Sequence, residues 1–133
     1  MTHRDSLRAV VLISGRGSNL AALADARDRG DLNIEIAAVI SNRPAAAGLA
    51  MASEHGLNCE VVNHRDYADR DAFDQQLGAR IEAYEPKLIV LAGFMRILGE
   101  RIVEQLSGRL INIHSHCIFK RIPVFRVPRF IIR

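Results

Sequence analysis

Hydrophobic and polar positions alternate between two rhythms along this chain. Residues 7–14 (LRAVVLIS) hold an unbroken apolar run, the pattern of a strand covered on both faces. Residues 15–19 (GRGSN) supply a glycine turn, and Leu20, Leu23 and Ala24 follow at helical spacing, with Ser18 or Asn19 placed to cap the helix. Residues 34–40 read as a second strand, 45–55 as a short helix closed by Gly56, and 59–62 as a third short strand. Asp69 or Asp71 can cap the next helix, in which Phe73, Leu77, Ile81 and Tyr84 form one apolar stripe that ends before Pro86. Residues 88–92 are again wholly apolar, 99–106 predict a short helix, and 110–114 a fifth strand.

Strands separated by helices at this spacing imply βαβ units with right-handed crossovers. The expected fold is α/β: a Rossmann-like, mostly parallel sheet with helices on both faces. Ligands of such open sheets sit beyond the carboxyl ends of the strands, so the loops after Ile13, Ile40, Ala92 and Ile113 should form the site. A length of 133 residues suits one domain. No apolar run approaches the ~20 residues of a membrane span, and the opening MTHRD is too polar for a secretory signal. The expectation is a cytoplasmic protein with no membrane partner. Cys59 and Cys117 are too few for a disulfide scaffold and are expected to be ordinary buried thiols.

Charge changes the picture at one place. The formal net charge is +3, yet residues 1–114 hold all 15 Asp and Glu against 13 Lys and Arg, a net of −2. The last 19 residues carry Lys120, Arg121, Arg126, Arg129 and Arg133 and no acid. Glycine stops at Gly108, and three of the five Phe lie after Ile118. The division expected is an α/β domain over 1–114 and an aberrant basic tail over 115–133. Five charges give little nucleic-acid affinity at physiological salt, so no nucleic-acid partner is expected.

Three short stretches carry candidate chemistry. Gly15, Gly17, Ser18 and Asn19 open a helix directly after the first strand, where backbone N–H groups and the helix dipole favour an anion; the plainer reading is a tight turn. A dinucleotide fingerprint would need a third glycine where Leu20 stands and an acid near Ser41-Asn42-Arg43, and no Gly-Lys-Ser/Thr phosphate loop is present. A monophosphate ester fits better. In Leu110-Ile111-Asn112-Ile113-His114, strand alternation puts Asn112 and His114 on one face, an amide donor beside a titratable imidazole. That pair suits acyl transfer, with the imidazole as acid/base and the amide donating to an oxyanion; the alternative is two hydrogen-bonded strand-end groups. Residues 95–98 (Met95, Arg96, Ile97, Leu98) form an apolar loop whose backbone edges could take a flat heterocycle. His114, His116 and Cys117 give three local soft donors where a structural zinc site uses four, so no metal is expected. His3, His55 and His64 stand isolated.

LISGRGSNL (residues 12–20), LAGFMRIL (91–98) and INIH (111–114), in this order and spacing, together resemble the folate-dependent phosphoribosylglycinamide formyltransferases. The resemblance implies transfer of a formyl group from 10-formyltetrahydrofolate to glycinamide ribonucleotide in purine biosynthesis, without metal. It implies that Gly17, Ser18 and Asn19 hold the substrate phosphate, that Arg70, Met95, Arg96, Ile97, Leu98 and Asn112 hold the folate, and that Asn112 and His114 are catalytic. Formyltetrahydrofolate deformylases are similar, but carry an N-terminal regulatory domain and differ around Gly93-Phe94-Met95-Arg96. Formylation of initiator tRNA would need a further RNA-binding domain. After INIH the family continues with a Pro-Ser-Leu-Leu-Pro loop, a Pro-Gly turn and an Asp that partners the histidine, whereas this chain reads Ser115-His116-Cys117-Ile118-Phe119-Lys120. The expectation is a truncated chain or a shifted reading frame after His114. Its alternative function is an inactive fragment that only binds the phosphorylated substrate, or a relative of the formyltetrahydrofolate deformylases, and an uncovered sheet edge would favour a homo-oligomer.

Overall fold

A computed structural model describes residues 6–113, so His114, Cys117 and the basic segment 115–133 lie outside the described residues. The elements follow in the order β1 (Leu7–Ile13), α1 (Ser18–Asp28), β2 (Ile34–Ser41), α2 (Ala47–Glu54), β3 (Cys59–Val61), α3 (Arg70–Glu82), β4 (Leu88–Ala92), α4 (Glu100–Gln105) and β5 (Leu110–Ile113). A 3-10 turn over His64–Asp66, not foreseen from periodicity, is capped by the Asn63 side chain. Asp69, not Asp71, caps α3 by accepting the Ala72 N–H at 2.9 Å.

The sheet has five parallel strands in the order β3-β2-β1-β4-β5. Its two faces explain the unbroken apolar runs. Ala9, Val11 and Ile13 of β1 pack with Leu20, Leu23 and Ala24 of α1 and Ala52 of α2. Val10 and Leu12, pointing the other way, pack with Phe73, Leu77 and Ile81 of α3 and Ile102 of α4. A strand enclosed on both sides has no solvent face on which to place polar residues. The chain moves outward from β1 to β3 and then returns to β4 on the other side of β1. The connections leaving β1 and β4 therefore run to opposite faces, the topology at whose carboxyl edge open α/β sheets place their ligands.

The edge strand β3 is fastened by charge. Arg80 of α3 donates through Nε and Nη2 to Glu60 Oε1 and Oε2, both at 2.7 Å, and the Tyr84 hydroxyl donates to the same carboxylate. The guanidinium holds the Glu60 carboxyl below its ordinary value of 4.5. Stability from such a group is present above about pH 4.5 and is lost as pH falls through the lowered folded value. Because both ends are partly solvated, E60Q is expected to cost only about 0.5–1 kcal/mol at neutral pH. Urea midpoints of wild type and variant should converge in strong acid; a gap that persists there would mean that packing, not charge, fastens β3. Cys59, expected to be buried, is instead exposed, because it begins an edge strand whose outer side nothing covers among the described residues.

Candidate active site

The turn after β1 is built around a close glycine pair. Gly17 has φ 80° and ψ 23°, the left-handed region that glycine enters without strain, and it is the N-cap of α1 in place of the expected Ser18 or Asn19. A side-chain cap is absent because the residue that turns the chain has no side chain. Space is as restricted as the dihedrals: a Cβ at Gly17 would lie 2.8 Å from Gly48 Cα, and Gly48 donates its N–H to Gly15 O at 2.9 Å. α2 thus holds the turn from behind. Asn19 reaches the other way, its Nδ2 donating to Ile113 O at 3.4 Å and tying the start of α1 to the end of β5. A helix start with no capping side chain and no acid in its first turn leaves the positive end of the helix dipole without a negative neighbour.

The loop after β4 is pinned to the same edge by a residue that periodicity did not single out. Ser14, buried just beyond β1, donates through Oγ to Asn42 Oδ1 at 2.6 Å and accepts the Met95 N–H at 2.8 Å. One hydroxyl joins the ends of β1, β2 and β4. Beyond this pin Met95 and Ile97 are 77% and 52% exposed, unusual for large apolar side chains, while Leu98 is buried. The Arg96 guanidinium lies 5.1 Å from the centroid of Phe73, so its charge is turned toward α3. Arg70, exposed, is the first residue of α3. One turn on, Asp74 is buried and accepts the Gly99 N–H through Oδ2 at 2.8 Å. Burial pushes its carboxyl above the ordinary value, against the Gly99 hydrogen bond and the charges of Arg70 and Arg96.

Asn112 stands opposite Leu91 in the β4–β5 register and is half-buried. Its neighbours Ile111 and Ile113 pack into the α1/α2 face, so strand alternation directs Asn112 to the α3/α4 face, the face of Leu91 and Leu98. Gly17, Ser18, Asn19, residues 95–98 and Asn112 therefore all line the carboxyl edge of the sheet, and Arg70 and Arg96 flank it on α3 and the β4 loop. His114, expected to complete the pair with Asn112, lies outside the described residues. His64, read as isolated, lies near Asn42, its Nδ1 3.1 Å from the Asn42 carbonyl oxygen. Among the described residues no group of three or more His, Cys, Asp or Glu could hold a metal, and no helix is long and apolar enough to cross a membrane.

A five-stranded parallel sheet whose order switches at β1, with a glycine-opened helix after β1 and a pinned loop after β4 at its carboxyl edge, defines a Rossmann-like α/β protein. Within that class the sequence pattern of the formyl transferase family matches residues 7–117, and the chain belongs to that family. It is 42% identical over 114 residues to the phosphoribosylglycinamide formyltransferase of Escherichia coli K12, an alignment that covers 86% of this chain and 54% of that protein. The solved phosphoribosylglycinamide formyltransferase of Coxiella burnetii, in complex with CHES, superposes with a TM-score of 0.81 at 46% identity, covering 90% of this chain and 56% of that one. A solved formyltetrahydrofolate deformylase of Pseudomonas putida also matches, with a TM-score of 0.75 at 26% identity over 82% of this chain and 38% of that one. The chain thus spans about half the length of the two formyltransferases.

Proposed function

We propose that this chain supplies the phosphate-holding and folate-holding part of a phosphoribosylglycinamide formyltransferase, which passes a formyl group from 10-formyltetrahydrofolate to the amine of glycinamide ribonucleotide. The observation that carries the reading is the joint placement of the capless glycine turn, the exposed apolar loop and Asn112 at the carboxyl edge of one sheet, in a chain 42% identical to a protein of that name.

Backbone N–H groups of Gly17, Ser18 and Asn19 receive the phosphate at the positive end of α1. The residues after β4 fit a flat, partly apolar co-substrate with an acidic tail: Met95 and Ile97 offer exposed apolar surface, Arg96 and Leu98 contribute backbone because their side chains turn inward, and Arg70 offers an exposed cation at the start of α3. When bound, 10-formyltetrahydrofolate supplies the formyl group. Asn112 donates its amide N–H to the formyl oxygen as negative charge develops there, and a donor fixed on a strand lowers the barrier by stabilising that charge. His114 takes the proton that the attacking amine must lose and gives it to N10 of the folate as the formyl carbon–N10 bond breaks, so tetrahydrofolate leaves neutral at that nitrogen; an imidazole is the side chain that titrates nearest neutral pH.

Titration with glycinamide ribonucleotide, followed by amide NMR, is expected to move the resonances of residues 17–19 first, and inorganic phosphate should compete. A ribonucleotide that shifts other segments and leaves this turn unmoved would overturn the phosphate assignment. Formate released without a formylated ribonucleotide would favour the deformylase chemistry instead.

A further inference from the structure

We propose that Asp74 is a positioning residue that fixes the backbone of residues 93–98 for their ligand. The proposal rests on the reading above that this loop holds the folate.

Asp74 sits on the buried side of α3 between Phe73 and Leu77, where packing alone would call for an apolar side chain, and is only 4% exposed. Among the described residues its carboxylate accepts one hydrogen bond, from the N–H of Gly99, the residue at which the loop enters α4. Gly99 has φ −77° and ψ 174°, extended backbone open to any residue, so its glycine is not there for conformation. It is there for space: a Cβ at Gly99 would lie 2.8 Å from Asp74 Oδ2 and 4.0 Å from Arg70 Cδ. The loop is thus pinned twice, at Met95 N–H by Ser14 Oγ and at Gly99 N–H by Asp74 Oδ2, each at 2.8 Å. Met95 and Ile97 project between the pins.

Two arginines also bear on the carboxylate. Arg70 and Arg96 both act electrostatically on the Asp74 carboxylate, one from its own helix and one from the loop. Asp74 Oδ1 and Arg96 Nε are buried with no hydrogen-bond partner among the described residues, so the cluster is not consumed by structural bonding.

The test compares Asp74→Ala, Asp74→Asn and Gly99→Ala in the full chain. Asp74→Ala loses both the acceptor and the charge; Asp74→Asn keeps an oxygen for the Gly99 N–H. Hydrogen exchange of residues 94–98 is expected to accelerate about tenfold or more in Asp74→Ala, with protection restored in Asp74→Asn. The Kd for 10-formyltetrahydrofolate should rise about tenfold in Asp74→Ala while the Kd for inorganic phosphate at residues 17–19 stays unchanged. Gly99→Ala, which crowds the same contact from the other side, should loosen the same segment and keeps the test available if Asp74→Ala does not fold. Unchanged loop exchange in these variants would overturn the proposal. So would a parallel loss of folate and phosphate affinity with exchange rising throughout the sheet, the mark of a merely structural residue. If wild type takes up no folate while loop exchange still responds to Asp74, the functional reading falls and the pin stands.

Discussion

Replacing Asn112 with Ala is expected to slow formyl transfer by about 100-fold to 1000-fold, the usual cost of removing one aimed oxyanion donor. Affinity for glycinamide ribonucleotide should change little, because the donor acts on charge that exists only in the transition state. The expectation follows from placement. Asn112 is the one polar residue of β5, it stands opposite Leu91 at the carboxyl edge, and its two neighbours are committed to the opposite core. Steady-state kinetics on a preparation with measurable transfer decides it: a fall in kcat with KM for the ribonucleotide held is the expected split. Asn112→Asp, which replaces the amide donor by an acceptor, should be at least as damaging. Nearly full turnover in Asn112→Ala would remove the residue from the chemistry.

Gly17→Ala is expected to be the most destabilising single substitution in the candidate phosphate turn. Two independent costs add. A left-handed backbone costs a residue with a Cβ roughly 1–2 kcal/mol. The new methyl would also lie 2.8 Å from Gly48 Cα, a backbone atom that no rotamer change can move, and such overpacking costs about 1–3 kcal/mol. Gly48→Ala separates the two terms. Its Cβ would meet Ile13 Cδ1 at 2.8 Å, Gly17 Cα at 3.0 Å and Gly15 O at 3.1 Å, yet no positive φ is involved, so only the packing cost applies. Urea midpoints should fall in the order wild type, Gly48→Ala, Gly17→Ala. Phosphate affinity should fall with them, since either methyl pushes the turn away from the start of α1. A Gly17→Ala protein with the wild-type midpoint would show that the glycine pair does not hold the turn.

Local rules make most of the architecture legible in the sequence. The runs LRAVVLI and LIVLA are apolar throughout because each strand is buried on both faces, and the stripe of Phe73, Leu77 and Ile81 sits on one side of its helix because a single face of α3 meets the sheet. Such signals depend on residues a few positions apart, and the three motifs after β1, β4 and within β5 fall at strand ends for the same reason. Sequence alone therefore determined the fold class, the strands and α-helices, and the edge of the sheet where the candidate site lies.

What it did not determine depends on distant pairs. Ser14 bonds Asn42 and Met95, 28 and 81 residues away, and Asp74 bonds Gly99, 25 residues away. Nothing near Ser14 or Asp74 distinguishes them from ordinary polar residues; the only hint was an acid inside an apolar stripe. Cys59 looked like a core thiol until the strand order placed β3 at the edge. The cap of α1 was misread because Ser18 and Asn19 have the usual capping side chains, while the decisive fact, Gly48 pressed against Gly17, arises only when α2 folds back on the turn. Short-range preference decides which element a segment forms. Which buried polar groups meet, and which glycines are indispensable, is decided when the tertiary fold brings remote backbone within bonding distance, because only then does an unpaired group or a clashing methyl carry a cost.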